Sequence, residues 1–267
     1  LQIYLRNVSS LHPGDILVKV GDISFREYQE NFTQPLFSSA IKAGDIVPIT
    51  VIRNGVETPV DWQMPGFNLV EFRGRLFNIW WLAYIFWLFG FAVELFIRPR
   101  DVRWWLLIVA NHLTGLWLML GAISSWHIWA SSILFHAIAW LLLPIYFHLN
   151  WIFPKPLAYL PVFSGFLLYT IALFPFFGAL TQALPGSSYA LAIILALAGS
   201  VVLQFLHFIF QPEQRNPIRL LVISALLAGF PIIALNVMRL FGETPPIAPL
   251  FLLAFLSTGL SVLPWAD

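Results

Sequence analysis

Seven long apolar runs fill the C-terminal two-thirds of the chain and decide what it can fold into. Each run is long enough to cross the hydrocarbon layer of a bilayer, which takes a helix of about 20 residues. The runs lack the alternation of barrel strands, and helices are the other structure that satisfies its own backbone in lipid. We therefore predict transmembrane helices at residues 77–97, 104–123, 128–153, 157–177, 187–210, 218–240 and 247–263.

The distribution of charge separates a first segment from these runs. Residues 1–76 contain seven Lys or Arg and eight Asp or Glu, whereas the rest of the chain contains seven and five. Soluble domains carry about 25% charged residues, against 10% in this chain as a whole. We predict a small water-facing domain at 1–66, a linker at 67–76 and a membrane domain of seven helices at 77–265.

The first segment begins with the pattern of a turn followed by a strand. Pro13-Gly14 is strong turn chemistry. Ile16, Val18 and Val20 then alternate, as expected of a half-buried strand. A second turn and a helical stretch at 25–42, interrupted by Pro35, are predicted to follow.

A predicted hairpin closes the first segment. Residues 46–53 alternate as a second strand, and Asn54-Gly55 is a strong signal for a tight turn. The strand after that turn is predicted at 56–62. The first segment should therefore be a small α+β domain.

Residues 1–63 resemble the C-terminal two-thirds of a bacterial PDZ domain. The resemblance rests on Pro13-Gly-Asp-Ile-Leu17 before a helix and on a Val-x-Arg-x-Gly pattern at 51–55. The loop and strand that hold a peptide in PDZ domains would lie before Leu1, so the resemblance assigns peptide binding to no residue here. A small structural cap is the alternative interpretation.

Positive charges in the short loops predict the orientation in the membrane. One side of the predicted bundle receives six Lys or Arg residues, at 98–103, at 155 and at 215–219, and loops on the other side receive Arg239. We expect the first set of loops to be cytoplasmic. With an odd number of crossings, residues 1–76 then lie outside the plasma membrane and Asp267 lies inside the cell.

Polar side chains within the crossings are the candidates for a ligand site, because burying them in lipid is costly. His112, His136 and Asn236 are the candidates that we single out. Gln204 and His207 belong to the same class. Interhelical hydrogen bonding is the alternative interpretation for all five residues.

Several classes of function lack their sequence signals. The chain has no cysteine, and therefore no disulfide or thiolate metal ligand. It contains neither the His-Glu-x-x-His motif of zinc proteases nor the Gly-x-Ser-x-Gly motif of serine hydrolases. A net charge of +1 offers no basic surface for nucleic acid. We predict no metal, no cofactor and no enzymatic activity for this chain.

The whole chain resembles the N-terminal sensor region of bacterial histidine kinases of the competence quorum-sensing receptor type. The resemblance rests on the order of an outer PDZ-like segment and several crossings, and on local strings. These strings are Trp140-Leu-Leu-Leu-Pro-Ile-Tyr-Phe-His148, Ile152-Phe-Pro154, Arg215-Asn-Pro-Ile-Arg219, Ala228-Gly-Phe-Pro231 and Leu263-Pro264. The resemblance implies a further crossing before Leu1 and a kinase region after Asp267, so the chain is expected to be a fragment.

This resemblance implies a set of partners. They are the lipid bilayer, an extracellular peptide or lipophilic ligand, a cytoplasmic effector domain or partner subunit, and a second copy of the chain in a homodimer. The alternative function is a non-catalytic multipass subunit that anchors or scaffolds a larger membrane complex. A transporter is a third candidate, although the two halves of the membrane domain show no convincing repeat.

Overall fold

The computed structural model of the protein describes residues 11–66, 81–124, 127–158 and 161–216, except 13, 38–39 and 99, together with scattered positions between 69 and 233. They belong to two units, which are described in turn. The first comprises Leu1–Trp81 and Leu118–Phe135, and the second comprises Leu82–Trp117 and His136–Asp267.

The first unit contains a four-stranded antiparallel sheet. Its strands are β1 (Ile16–Val20), β2 (Ile23–Ser24), β3 (Ile46–Arg53) and β4 (Val56–Gln63), and their order across the sheet is β2-β1-β3-β4. One short helix, α1 (Phe25–Glu30), follows β2. The predicted α+β domain is confirmed to this extent, while its likeness to a PDZ domain stays a prediction.

The hairpin of β3 and β4 confirms the prediction from Asn54-Gly55. Both residues have positive φ angles, 53° and 80°. A two-residue turn with both central φ angles positive matches the twist of the flanking strands, and Asn and Gly adopt this conformation at the least cost. The register runs without a shift from Arg53 opposite Val56 to Ile46 opposite Gln63.

Strand β1 departs from the predicted alternation because it contains a bulge. Leu17 pairs with Val51 but Lys19 pairs with Thr50, so one extra residue lies between them. The bulge shifts which side chains face the core. Leu17 and Val20 pack inward, whereas Ile16 is 62% exposed, so the prediction for Ile16 was wrong.

The helix predicted at 25–42 ends at Glu30. Ser24 caps its start, since the Ser24 hydroxyl accepts a hydrogen bond from the Glu27 amide at 3.0 Å. Asn31 ends it, because its side-chain oxygen accepts from the Thr33 amide at 3.1 Å and so forms a local turn. Pro35 lacks an amide hydrogen and favours extended backbone before it. Turns and irregular backbone therefore occupy most of the predicted helix.

The core of the sheet domain lies between the sheet and α1. Trp62 is 1% exposed and its ring lies 5.3 Å from that of Phe37. Tyr28 of α1 packs into the same cluster, whose buried members are Val20, Tyr28, Leu36, Val47, Ile49, Val51, Val60 and Trp62.

An ion pair ties the first turn to the end of β3. Arg53 donates from Nε and Nη2 to the two carboxylate oxygens of Asp15, at 2.8 and 2.6 Å. The Asp15 carboxylate is 4% exposed, and these hydrogen bonds hold its pKa well below the usual range. The same hydrogen bond raises the pKa of Arg53.

Five apolar helices follow the sheet domain within the described residues. They are α2 (Trp81–Phe96), α3 (Val102–Ser124), α4 (Ser131–Ile152), α5 (Val162–Leu180) and α6 (Ser188–Phe210). In the part of the chain that the structure describes, four stretches are long and apolar enough to cross a membrane, namely Val102–Ser124, Ile128–Ile152, Phe163–Leu180 and Ser188–Phe210. Helix α2 is apolar but shorter.

These helices confirm four of the seven predicted crossings as long apolar helices. Of the first predicted crossing, 77–97, the described part is the helix α2. The sixth and seventh, 218–240 and 247–263, lie outside the described residues apart from single positions. The fourth begins at Val162 rather than at 157, because Pro156 and Pro161 lack the amide hydrogens that a helix uses.

Candidate functional site

One asparagine on α4 connects three residues of α6. The Asn150 side-chain amide donates to the hydroxyl of Ser200 at 3.0 Å and to the Tyr146 carbonyl at 2.8 Å. Its side-chain oxygen accepts from Gln204 Nε2 at 2.9 Å. The Asn150 backbone carbonyl lies 2.7 Å from His207 Nε2.

The three partners share one face of α6. Ser200, Gln204 and His207 are spaced four and three residues apart, which places them on adjacent turns. His207 is fully buried. Packing is close beside this network, because the ring of Phe147 occupies the space where Gly199 lacks a side chain. Hydrogen bonds between helices are a main source of association in lipid, and here they join α4 to α6.

A second link extends the network toward the end of α6. His207 Nδ1 lies 3.0 Å from Gln211 Oε1. Gln211 Nε2 donates to the carbonyl oxygens of Lys155 and Pro156, at 3.0 and 3.1 Å. The end of α6 is therefore held against the segment that joins α4 to α5.

A cavity of about 210 Å³ lies beside the network. Its walls come from α2, α3, α4 and α6, and are formed by Phe86, Phe89, Leu107, Ala110, Asn111, Tyr146, Leu149, Asn150, Phe153 and Gln204. None of these lining residues carries a formal charge. The cavity is the candidate ligand site of the helical unit, since it combines apolar walls with a few convergent polar groups.

A second cavity lies near the start of α3. It is also about 210 Å³, and it shares the lining residues Leu107 and Phe153 with the first. Unlike the first, it is lined by the charged residues Arg98, Asp101 and Arg103.

The charges that line the second cavity partly neutralise each other. Arg103 Nη2 lies 2.6 Å from Asp101 Oδ2, and Arg103 Nη1 donates to the Pro154 carbonyl at 3.1 Å. Burial alone would raise the pKa of Asp101, but hydrogen bonds from the Arg103 side chain and from the Trp104 amide outweigh it and lower the pKa.

The residues singled out from the sequence lie elsewhere. His112 Nδ1 is 3.0 Å from the Ile108 carbonyl of its own helix, and its ring meets the edge of Phe91 on α2. His136 meets Tyr189 of α6 edge to face, with ring centroids 4.9 Å apart. The two histidines thus pack against different helices. Asn236 lies outside the described residues.

Gln204 and His207 are hydrogen-bonded to Asn150 of a neighbouring helix. For these two residues the structure agrees with the alternative interpretation, interhelical hydrogen bonding. Asn150, which joins them, was missed in the sequence. It occurs where the predicted crossing at 128–153 ends, and a polar residue near a helix end is usually exposed to headgroups and water. The sequence signal that points to Asn150 is the spacing of Ser200, Gln204 and His207. This spacing puts three polar residues on one face of a helix, and that face needs a polar partner on a neighbouring helix.

The first unit contains a separate contact that sequence reasoning also missed. His127 precedes the stretch Ile128–Ile152, and its Nδ1 donates to the Gln34 carbonyl at 2.9 Å. The ring stacks on Tyr28 with centroids 4.2 Å apart and meets Phe32 at its edge. The turn is tightly bent, with positive φ at His127, Trp129 and Ala130.

Burial shifts the pKa values of the two rings in this contact, those of His127 and Tyr28. His127 is 9% exposed, and burial lowers its pKa although hydrogen bonds to the backbone of Gln34 and Asn31 act in the opposite direction. Burial also raises the pKa of Tyr28 to about 12. Both rings are therefore held in their neutral forms near neutral pH.

Among the described residues, no three His, Asp or Glu side chains come together as a metal site requires. Comparison with known protein families, with curated proteins and with solved structures finds no significant match to the chain.

Proposed function

We propose that the chain is the sensor module of a bacterial membrane signalling protein, the input region of a sensor histidine kinase. It binds an extracellular peptide or lipophilic signal and transmits the binding event to a cytoplasmic effector. The observation that carries the proposal is the contact of His127 with Tyr28 and Gln34.

This contact supplies the coupling that a sensor needs. His127 lies between the apolar stretches Val102–Ser124 and Ile128–Ile152. A ligand that moves α1 therefore acts on the ends of two helices at once. It shifts their arrangement if it binds one conformation of the sheet domain more tightly than the other.

The same contact supports the proposed topology. The proposal puts the sheet domain and the turn at 127–130 on the same side of the bilayer, because both belong to one compact unit. The segments at 98–103 and 153–158 lie at the opposite ends of α3 and α4 and contain Arg98, Arg100, Arg103 and Lys155. Cationic loops favour the cytoplasm, which leaves the sheet domain outside.

Single cysteines test this topology, because the chain has none of its own. Glu57→Cys on β4 should react with a membrane-impermeant maleimide on intact cells. Glu213→Cys, whose native side chain is 83% exposed, should react only after the membrane is permeabilised. The reverse pattern would rule out an extracellular sheet domain.

The sensing role is tested in the intact gene of the source cell. Conditioned medium from the same cells is the probe, and the change in transcript levels is the measurement. Deletion of residues 11–66 should abolish the response and Tyr28→Ala should weaken it, whereas Glu57→Ala on the exposed face of β4 should leave it intact. A full response after the deletion would exclude the sheet domain from sensing.

The competing function is a scaffolding subunit, and the gene beyond Asp267 separates the two. A dimerisation helix with an acceptor histidine, followed by an ATP-binding domain, supports the sensor. A stop codon after Asp267 favours the scaffold.

A further inference from the structure

We propose that the cavity beside Asn150 is a binding site for a small, neutral molecule with one hydroxyl or N–H donor and an apolar body. The inference goes beyond the proposed signalling role and depends only on the cavity and its lining residues.

The need for a donor follows from one buried oxygen. Gln204 Nε2 is committed to Asn150 Oδ1, whereas Gln204 Oε1 is buried and has no hydrogen-bond partner among the described residues. A buried polar atom without a partner loses the hydrogen bonds that water would give it. Gln204 lines the cavity, so a small rotation of its side-chain amide would bring Oε1 to a ligand there, which can supply the missing donor.

The other polar groups of the wall do not supply that donor. Thr114 donates its hydroxyl proton to the Ala110 carbonyl at 2.6 Å, so the Tyr146 hydroxyl donates to Thr114 at 2.8 Å. Asn111 Nδ2 donates one hydrogen to the Leu107 carbonyl at 2.7 Å, which leaves its second N–H and its oxygen. A hydroxyl, which donates and accepts, complements such a wall.

The ligand is neutral because nothing in the cavity balances a charge. The lining residues include three phenylalanines and four amide or phenol groups but no carboxylate. Burial of an unpaired cation in such a site is expensive.

The volume sets the size of the ligand. A cavity of about 150 Å³ lined by apolar side chains binds benzene, and this cavity is about 210 Å³. One aromatic ring or a short aliphatic body with a single polar group therefore fits. Phe86, Phe89 and Phe153 supply the apolar contacts.

The test uses three probes that each contain one benzene ring and differ in the substituent. Benzyl alcohol carries the donor, ethylbenzene replaces the hydroxyl with a methyl group, and benzylammonium carries a charge. Binding to the full chain in nanodiscs is measured by saturation-transfer NMR, with empty nanodiscs as the correction for partition into lipid. We expect saturable binding of benzyl alcohol about fivefold or more tighter than that of ethylbenzene, and no saturable binding of benzylammonium.

Three variants assign the binding to this cavity. Gln204→Leu should remove the preference for benzyl alcohol, and Ala110→Leu should fill the space and abolish binding while the hydrogen bonds of Asn150 remain. Phe205→Leu, next to Gln204 on the exposed face of α6, should bind as the parent chain does.

Ala110→Leu keeps the test decisive if Gln204→Leu does not fold. Equal binding of benzyl alcohol and ethylbenzene overturns the proposal. So does binding that survives Ala110→Leu, and so does a cavity that holds water only and binds no probe.

Discussion

The sheet domain and the helices place their side chains in opposite ways. In the sheet domain a cluster of apolar side chains forms a buried core, with Trp62 at 1% exposure. On the helices large apolar residues face outward, with Phe174 of α5 at 79%, while the polar His207 is fully buried. The hydrophobic effect accounts for the first pattern. Lipid as the solvent accounts for the second, because apolar side chains then gain nothing by facing inward.

This difference predicts that the two regions depend on different interactions. Burial of apolar surface should dominate in the sheet domain. Close packing and hydrogen bonds between helices should dominate among α4 and α6. Four changes test this contrast. We expect the first to have the largest effect on stability and the last to have the smallest.

Trp62→Ala should unfold the sheet domain and spare the helices. Loss of a buried tryptophan costs about 3–5 kcal/mol in the free energy of unfolding. Hydrogen exchange of the β3 and β4 amides in nanodiscs measures the effect. Trp129→Ala is the matched control, because that ring is 83% exposed. Equal loss of protection in α6 would show that the two regions do not differ as described.

Gly199→Val should weaken the contact between α4 and α6 without an effect on the sheet. The added side chain overlaps the ring of Phe147, and such overpacking costs about 1–3 kcal/mol. Unfolding by dodecyl sulfate in mixed micelles measures the change. The second substitution Phe147→Ala should recover part of the loss, and the absence of any recovery would contradict this packing.

Asn150→Leu and Gln204→Leu should show a small but measurable coupling. Hydrogen bonds between membrane helices contribute about 0.6 kcal/mol on average and up to about 1.7 kcal/mol. The double-mutant cycle, in the same micelle assay, gives the value for this pair. Strictly additive effects would mean that the 2.9 Å contact contributes nothing to stability.

Acid should loosen the contact between His127 and α1. Burial lowers the pKa of His127 from its usual 6.5, so the contact favours the neutral ring. Its full contribution is present above pH 6.5 and is lost as the pH falls through the pKa of the folded state. Tyr28 stays neutral throughout, since its pKa is raised to about 12.

Hydrogen exchange of the α1 amides between about pH 7.5 and about pH 5.5 measures this loosening. The rates are corrected for the intrinsic effect of pH on exchange. His127→Phe keeps an aromatic ring and should abolish the dependence on pH. If exchange in the parent chain were also independent of pH, titration of His127 would not loosen the contact with α1.

Features with local causes were predictable from the sequence. The Asn54-Gly55 turn specifies its own geometry, and β3 and β4 follow from the alternation around it. The apolar stretches of α3, α4 and α6 needed only length and composition.

Features that depend on distant partners were not predictable in the same way. The bulge in β1 depends on its pairing with β3, which is more than 30 residues away in the chain. Asn150 and His127 acquire their importance only from residues more than 45 positions away.

In the proposed topology, the exposed indole of Trp129 lies at the surface of the bilayer and limits how the pair of helices α3 and α4 can move. Indole rings prefer the boundary between headgroups and hydrocarbon, and they resist displacement into either. A ring fixed at that depth opposes any sliding of the helices along the membrane normal. Tilting and rotation about the helix axes keep the ring at the same level, so they are the movements left open to this hairpin.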